Sequence, residues 1–144
     1  MWMRPSHGAF QKSVRRFVED VLLSELDAWK DSAQPPKQVL ERLGQEGYLA
    51  VLCGSPYPLE YLDADIARKL PADLDPFHEM ILIDEIARLG HFGAIAALTN
   101  GPSIALSAIL KYGSEQQKRA ICNEVLMGRK TIGKQKLKFG LTLN

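Results

Sequence analysis

The stretch Phe92-Gly93-Ala94-Ile95-Ala96-Ala97-Leu98-Thr99-Asn100-Gly101-Pro102-Ser103-Ile104-Ala105-Leu106-Ser107-Ala108-Ile109-Leu110-Lys111-Tyr112 decides the fold. Nearly every side chain in it is apolar or small, so as a helix it is apolar all round and expected to be buried on most sides. Asn100-Gly101-Pro102 interrupts it. Pro102 has no amide to donate and does not fit an unbent helix interior, so a kink or two abutting helices is expected. Ser114-Glu115-Gln116-Gln117 then matches a capping box, with Ser114 as cap and Gln117 reaching back. The helix it opens buries Ile121, Val125 and Leu126 and stops near Gly128.

Upstream, Asp75 can cap and Pro76 can open a helix running to Leu89, with Phe77, Ile81, Leu82, Ile86 and Leu89 as its apolar face and Gly90 as its stop. Residues 53–76 hold four of the eight prolines and read as a loop with at most a short helix around residues 62–70. Further back, Phe10, Val14, Phe17, Val21 and Leu22 recur at helical steps from Ser6, a plausible N-cap, to about Trp29. Pro35-Pro36 suit the first turn of a second helix that buries Val39, Leu40 and Leu43 and frays at Gly44 or Gly47. Tyr48 to Leu52 is a final turn or an extended stretch. The expected fold is all-α, an up-and-down or orthogonal bundle of about five to six helices with a short strand-like C-terminal tail. That tail, Lys136 to Asn144, alternates apolar residues with others, as a half-buried strand does.

With 144 residues, 46% hydrophobic and 24% charged, the chain holds one packed domain and is not disordered. Unbroken apolar runs such as Ala94 to Leu98 fall far short of the roughly 18 residues of a membrane span. No secretory signal is apparent in Met1 to His7, and Cys53 and Cys122, in apolar surroundings, fit a reducing, intracellular compartment. Five of the 18 basic side chains follow Gly128, where there is no acid. Residues 1–128 therefore carry 13 basic against 17 acidic groups, a balance of −4 that argues against a nucleic-acid reader.

Catalytic constellations are weak. His7, His78 and His91 are scattered; His78 beside Glu79 reads as a helix-start surface residue. Glu79, Asp84 and Glu85 suggest a carboxylate site, but Glu85 and Arg88 are three apart and read as a solvated pair on a helix face. There is no nucleophile elbow or phosphate loop, and Gly90-His91-Phe92-Gly93 follows a helix and lacks the glycines of a dinucleotide fingerprint.

Asp84-Glu85-Ile86-Ala87-Arg88-Leu89-Gly90, Asn100-Gly101-Pro102-Ser103-Ile104-Ala105-Leu106 and Ile109-Leu110-Lys111-Tyr112-Gly113-Ser114-Glu115-Gln116-Gln117-Lys118 together resemble the acyl-CoA dehydrogenase family. Leu126-Met127-Gly128-Arg129-Lys130 is similar to that family's Leu-x-Gly-x-Lys turn. The resemblance covers residues 6–142 and points to the N-terminal helical domain. It implies a domain over residues 1–130, with 131–144 a basic tail and the start of a middle β domain.

It also implies an acyl-CoA substrate, FAD as hydride acceptor, an electron acceptor as partner and a glutamate base in a later domain, so that no acid of this chain is catalytic. The family's acyl tail lies against the helix before the capping-box helix, which here offers Ala97, Asn100, Gly101 and Ile104 at three- and four-residue steps. Phe139-Gly140-Leu141-Thr142 is similar to a flavin-contacting strand, making Phe139, Leu141 and Thr142 the flavin positions. Leu143-Asn144 stands where the family has Glu-Pro, which implies a shortened chain, weak or absent FAD binding, and an apolar flank available for self-association or a partner. The compartment (cytoplasm, mitochondrion or peroxisome) stays open.

Overall fold

The computed structural model describes residues 3–32 and 34–132. Seven helices and no strand occur among them, so the all-α expectation holds; two of the seven are single turns. The strand-like tail lies outside the described residues.

Residues 5–29 form α1, an α segment (Pro5–Phe17), a wider π segment (Val18–Leu23) and a second α segment (Ser24–Trp29) in unbroken succession. Phe10, Val14, Val18, Val21, Leu22 and Trp29 line its buried face. Its cap is Arg4 rather than Ser6. Pro5 takes the first helical position, so the orphan amide of Arg4 is met by the ring of His7 (N to Nδ1, 3.0 Å). Ser6 instead donates its hydroxyl to Asp73 at 2.8 Å.

Helix α2 (Lys37–Gln45) starts after Pro36, whose extended ψ makes it the cap and not part of the first turn. Gly47, at φ +77°, ends it and turns the chain into α3 (Tyr48–Val51), a single turn whose four side chains are all buried. The next loop contains a 3-10 turn (Leu59–Tyr61) and the one-turn α4 (Ala64–Ala67), shorter than the expected helix. The Asn123 amide donates to the carbonyl of Tyr61 (2.8 Å) and pins this loop to the last helix.

Helix α5 (Pro76–Ala87) is capped as read: Asp75 accepts from the amides of Phe77 (3.0 Å) and His78 (3.3 Å). It packs along α1 through Ile81, Leu82 and Ile86. Phe77, expected on the buried face, is 42% exposed; it is His78 of the same turn that packs inward against α1.

Helix α6 (Phe92–Tyr112) is not split at Pro102. Residues Gly101–Leu106 widen into a π segment, and Ser107 Oγ donates to the carbonyl of Pro102 and to that of Cys53, both at 3.0 Å. The wider turn lets the helix pass its proline without a break. Nor is α6 buried on most sides: Ala94, Leu98, Pro102, Ala105, Leu106 and Ile109 face inward while Phe92 and Tyr112 are 85% and 79% exposed. By length and a mean hydropathy of 1.4 it could cross a membrane, so the test of unbroken apolar runs was too strict; those properties alone do not make it a span.

Helix α7 (Glu115–Leu126) begins at the expected capping box, with Ser114 accepting from the Gln117 amide (3.2 Å) and Gln117 Oε1 from the Ser114 amide (2.9 Å). Gly128, at φ +71°, ends it. Two glycines bring α2 and α7 together: a Cβ on Gly44 would overlap the backbone of Met127, and one on Gly128 the carbonyl of Leu40.

Candidate functional site

Because Gly44 and Gly128 hold α2 against the end of α7, a space opens between these helices and the middle of α6. It is a cavity of about 580 Å³. Ala97, Asn100, Gly101 and Ile104 all line it, so the structure brings the four positions named from spacing onto one wall. Leu40, Leu49 and Val125 face them, and Lys130, Thr131 and Ile132 close one side. Gly101 is needed for that closure, since a Cβ there would come within 3.2 Å of the Ile132 carbonyl. The lining is mainly apolar with a few polar groups, the usual make-up of a small-molecule pocket. Asn100 is exposed, and among the described residues its amide has no hydrogen-bond partner. Phe139, Leu141 and Thr142 lie outside the described residues.

Glu85 is not on a solvated face. It is fully buried, and Arg15 of α1 grips it through two bonds (Nη2–Oε1 2.7 Å, Nε–Oε2 3.1 Å) while Gln11 donates a third at 3.2 Å. Arg88 stays at 3.5 Å and also reaches Glu19. The Arg15 bond holds the Glu85 carboxyl below the usual range in spite of its burial. A carboxylate so held is a poor proton acceptor; it ties α1 to α5.

His78, expected at the surface, is fully buried. Its ring packs edge-on against His7 (centroids 4.4 Å apart) and Phe10, and both histidines lean on Asp75, with His7 Nε2–Oδ1 at 3.1 Å and His78 Nδ1–Oδ1 at 2.9 Å. A signal was available in the sequence. Arg4-Pro5-Ser6-His7 and Asp75-Pro76-Phe77-His78 share an x-Pro-x-His pattern; His7 Nδ1 accepts the Arg4 amide, and His78 Nδ1 lies between the amide (3.2 Å) and the carboxylate (2.9 Å) of Asp75.

The donor atoms of this trio lie within 4.8 Å of one another, as metal ligands would. The surroundings oppose a cation. Both Nδ1 atoms already face backbone N–H groups, two helix N-termini converge here, and the Arg4 guanidinium is 3.4 Å from Asp75. The site suits an anion, and Asp75 is that anion. Burial alone would raise its pKa, but hydrogen bonds from His78 and His7 bring it down to about 2.

The remaining titratable groups are not poised for chemistry. Burial pushes the thiols of Cys53 and Cys122 up to about 12 and about 11 and the Tyr57 phenol to about 12, so all three stay protonated at neutral pH. Burial also raises the half-exposed Glu79 carboxyl.

Residues 4–129 match the family model described as acyl-CoA dehydrogenase, N-terminal domain. The chain belongs to this family. It is similar to the acyl-CoA dehydrogenase AFT10-1 of Alternaria alternata, with 33% identity over 128 residues, 85% of this chain and 29% of that protein. Similarity to the acyl-CoA dehydrogenase apdG of Emericella nidulans is 30% over 129 residues, 87% of this chain and 30% of that protein. The chain thus spans about three tenths of the length of the curated relatives it matches. Acyl-CoA dehydrogenases generally use FAD. Asp75, His91 and Ser114 cap the N-termini of α5, α6 and α7, whereas α1 and α2 open without a side-chain cap.

Proposed function

We propose that this chain forms the helical N-terminal part of a flavin-dependent acyl-CoA dehydrogenase and that its cavity receives the acyl group. The observation that carries this reading is the cavity of about 580 Å³ whose α6 wall is made by Ala97, Asn100, Gly101 and Ile104. Engineered apolar cavities of about 150 Å³ take up benzene, so this volume suits a longer chain. Ala97 and Gly101 leave room along α6, while Leu40, Leu49 and Val125 exclude water from the opposite side. In the reaction the family performs, the flavin accepts hydride from the acyl β carbon and a carboxylate takes the α proton. This chain's share is to hold the acyl chain; Phe139, Leu141 and Thr142 are its contacts to the flavin by resemblance alone.

Calorimetric titration of the 144-residue chain with saturated fatty acids of increasing length tests the reading. Affinity should climb about fourfold per methylene until the cavity is full. Ala97→Phe should abolish the climb while leaving the helical circular-dichroism spectrum unchanged. An absence of binding, or binding indifferent to Ala97→Phe, would refute it.

A second reading, a non-catalytic module that docks a partner, draws on the exposed Phe77, Met80 and Ile83 along α5 and on Phe92 at the start of α6. Concentration-dependent association by light scattering, lost in Met80→Glu, would favour it.

A further inference from the structure

The segment that leaves α7 runs across the cavity, and contacts at both of its ends fix its course. The amides of Arg129 and Lys130 donate to the carbonyl of Glu124, at 2.9 and 3.0 Å, which holds the start of the segment to the last turn of α7. Two residues on, the Ile132 carbonyl lies 3.2 Å from where a Gly101 Cβ would be, and Ile132 Cγ2 lies 3.8 Å from it. Among residues 128–132 Ile132 alone has an apolar side chain. That side chain is half-buried and packs on the core, whereas Arg129, Lys130 and Thr131 are exposed. Ile132 and Gly101 thus meet in the middle of the α6 wall, about 6 Å along the helix from Ala97. A methylene chain keeps about 3.5–4.0 Å from the atoms on each side of it, so it needs about 7–8 Å between facing atoms. Ile132 stands well inside that distance of α6, even though residue 101 has no side chain.

We infer that Ile132 sets the length of acyl chain the cavity accepts. The inference rests on the acyl-binding reading above and extends it to chain length. A chain laid against Ala97 runs along α6 until it reaches Ile132, where the wall is already occupied; Ile104 lies beyond that point. Each methylene short of Ile132 passes from water into apolar surroundings and adds affinity. The next one must displace a packed side chain or turn back into solvent. The limit therefore depends on the volume of one side chain. Trimming that side chain frees room carbon for carbon, because the backbone of the segment is held at Glu124 and abuts Gly101 whatever residue 132 carries.

The experiment titrates the full chain with saturated fatty acids of increasing length and compares where the climb in affinity stops. Ile132→Ala removes three carbons and should move the stop outward by up to about three methylenes, so that an acid that much longer than the parent's limit gains up to about 60-fold. Ile132→Val removes one carbon and should move it by about one methylene, a gain of about fourfold. The valine variant barely alters a half-buried side chain, so it keeps the test decisive should Ile132→Ala loosen the segment. Ile104→Ala takes the same three carbons from the wall beyond Ile132 and should leave the stop where it was. If the stop stays put in both Ile132 variants, or moves as far in Ile104→Ala, the inference is overturned and the acyl-binding reading stands. If the parent binds no acid, or binds all lengths alike, both fall.

Discussion

Gly44→Ala offers the sharpest test of how the cavity is built. On an ordinary helix this change stabilises by about 1 kcal/mol, because alanine is the better helix former. Gly44 lies inside α2 with nothing unusual in its backbone, so propensity alone predicts a gain. The structure predicts the opposite. The added Cβ would sit 2.5 Å from the Met127 carbonyl oxygen and 2.7 Å from its Cα, where ordinary contacts are 3.4–4 Å. Both neighbours are backbone, so no rotamer change relieves the overlap and α2 must move away from α7. Overpacking of this kind costs about 1–3 kcal/mol, and a gap of 0.5–1 Å around the contact forfeits a quarter to a half of the dispersion there. Against the propensity gain, the net expectation is a loss of up to about 2 kcal/mol. Gly8→Ala in α1 is the control: nothing lies within 4 Å of its Cβ position, and it should gain about 0.5–1 kcal/mol. Equilibrium urea denaturation measures both, with the midpoint shifting and the slope unchanged. A Gly44→Ala protein stabilised by the full propensity gain of about 1 kcal/mol would refute the close approach of α2 and α7, and with it the cavity wall.

Acid should weaken the fold through Asp75, whose carboxyl has its pKa lowered from 3.8 to about 2. The stabilisation is fully present above about pH 4 and lost as pH falls toward 2; urea midpoints followed against pH should show this loss, and Asp75→Asn should be less stable at neutral pH and lack it. Tyr57→Phe removes a buried hydroxyl with no hydrogen-bond partner among the described residues and should raise the melting temperature, by up to about 1 kcal/mol in stability; a clear drop would reveal a partner for that oxygen. Arg15→Met strands the buried Glu85 carboxylate, so it should lose more stability by urea melts than Arg15→Met combined with Glu85→Leu, and the reverse order would sink the ion-pair account.

Local rules read the helices well because each rests on neighbours in the chain. The three-and-four spacing of Phe10, Val14, Val21 and Leu22, the Asp75-Pro76 start and the Ser114–Gln117 box all appear as read. Failures cluster where a partner lies far along the chain. Glu85 and Arg88 are three apart, but the grip on Glu85 comes from Arg15, seventy residues away, which no helix-face rule detects. His78 reads as a surface residue until His7 and Phe10 arrive from α1. Pro102 threatened a break because no local rule foresees the wider turn that the helix adopts around it. The wall positions Ala97, Asn100, Gly101 and Ile104 were legible as a face; that α2, α3 and α7 hollow out the opposite side was not.

Gln34, ahead of α2, and Ile132, beyond α7, both border the cavity, and α2, α3, α6 and α7 all contribute to the rest of its boundary. The hollow therefore exists only while these four helices stay packed together. Whatever lodges there binds the folded protein and not the unfolded chain, so occupancy adds directly to resistance to unfolding. Each tenfold rise in free occupant well above its dissociation constant should then add about 1.4 kcal/mol of resistance to unfolding, which turns a simple melting curve into a gauge of what the hollow prefers.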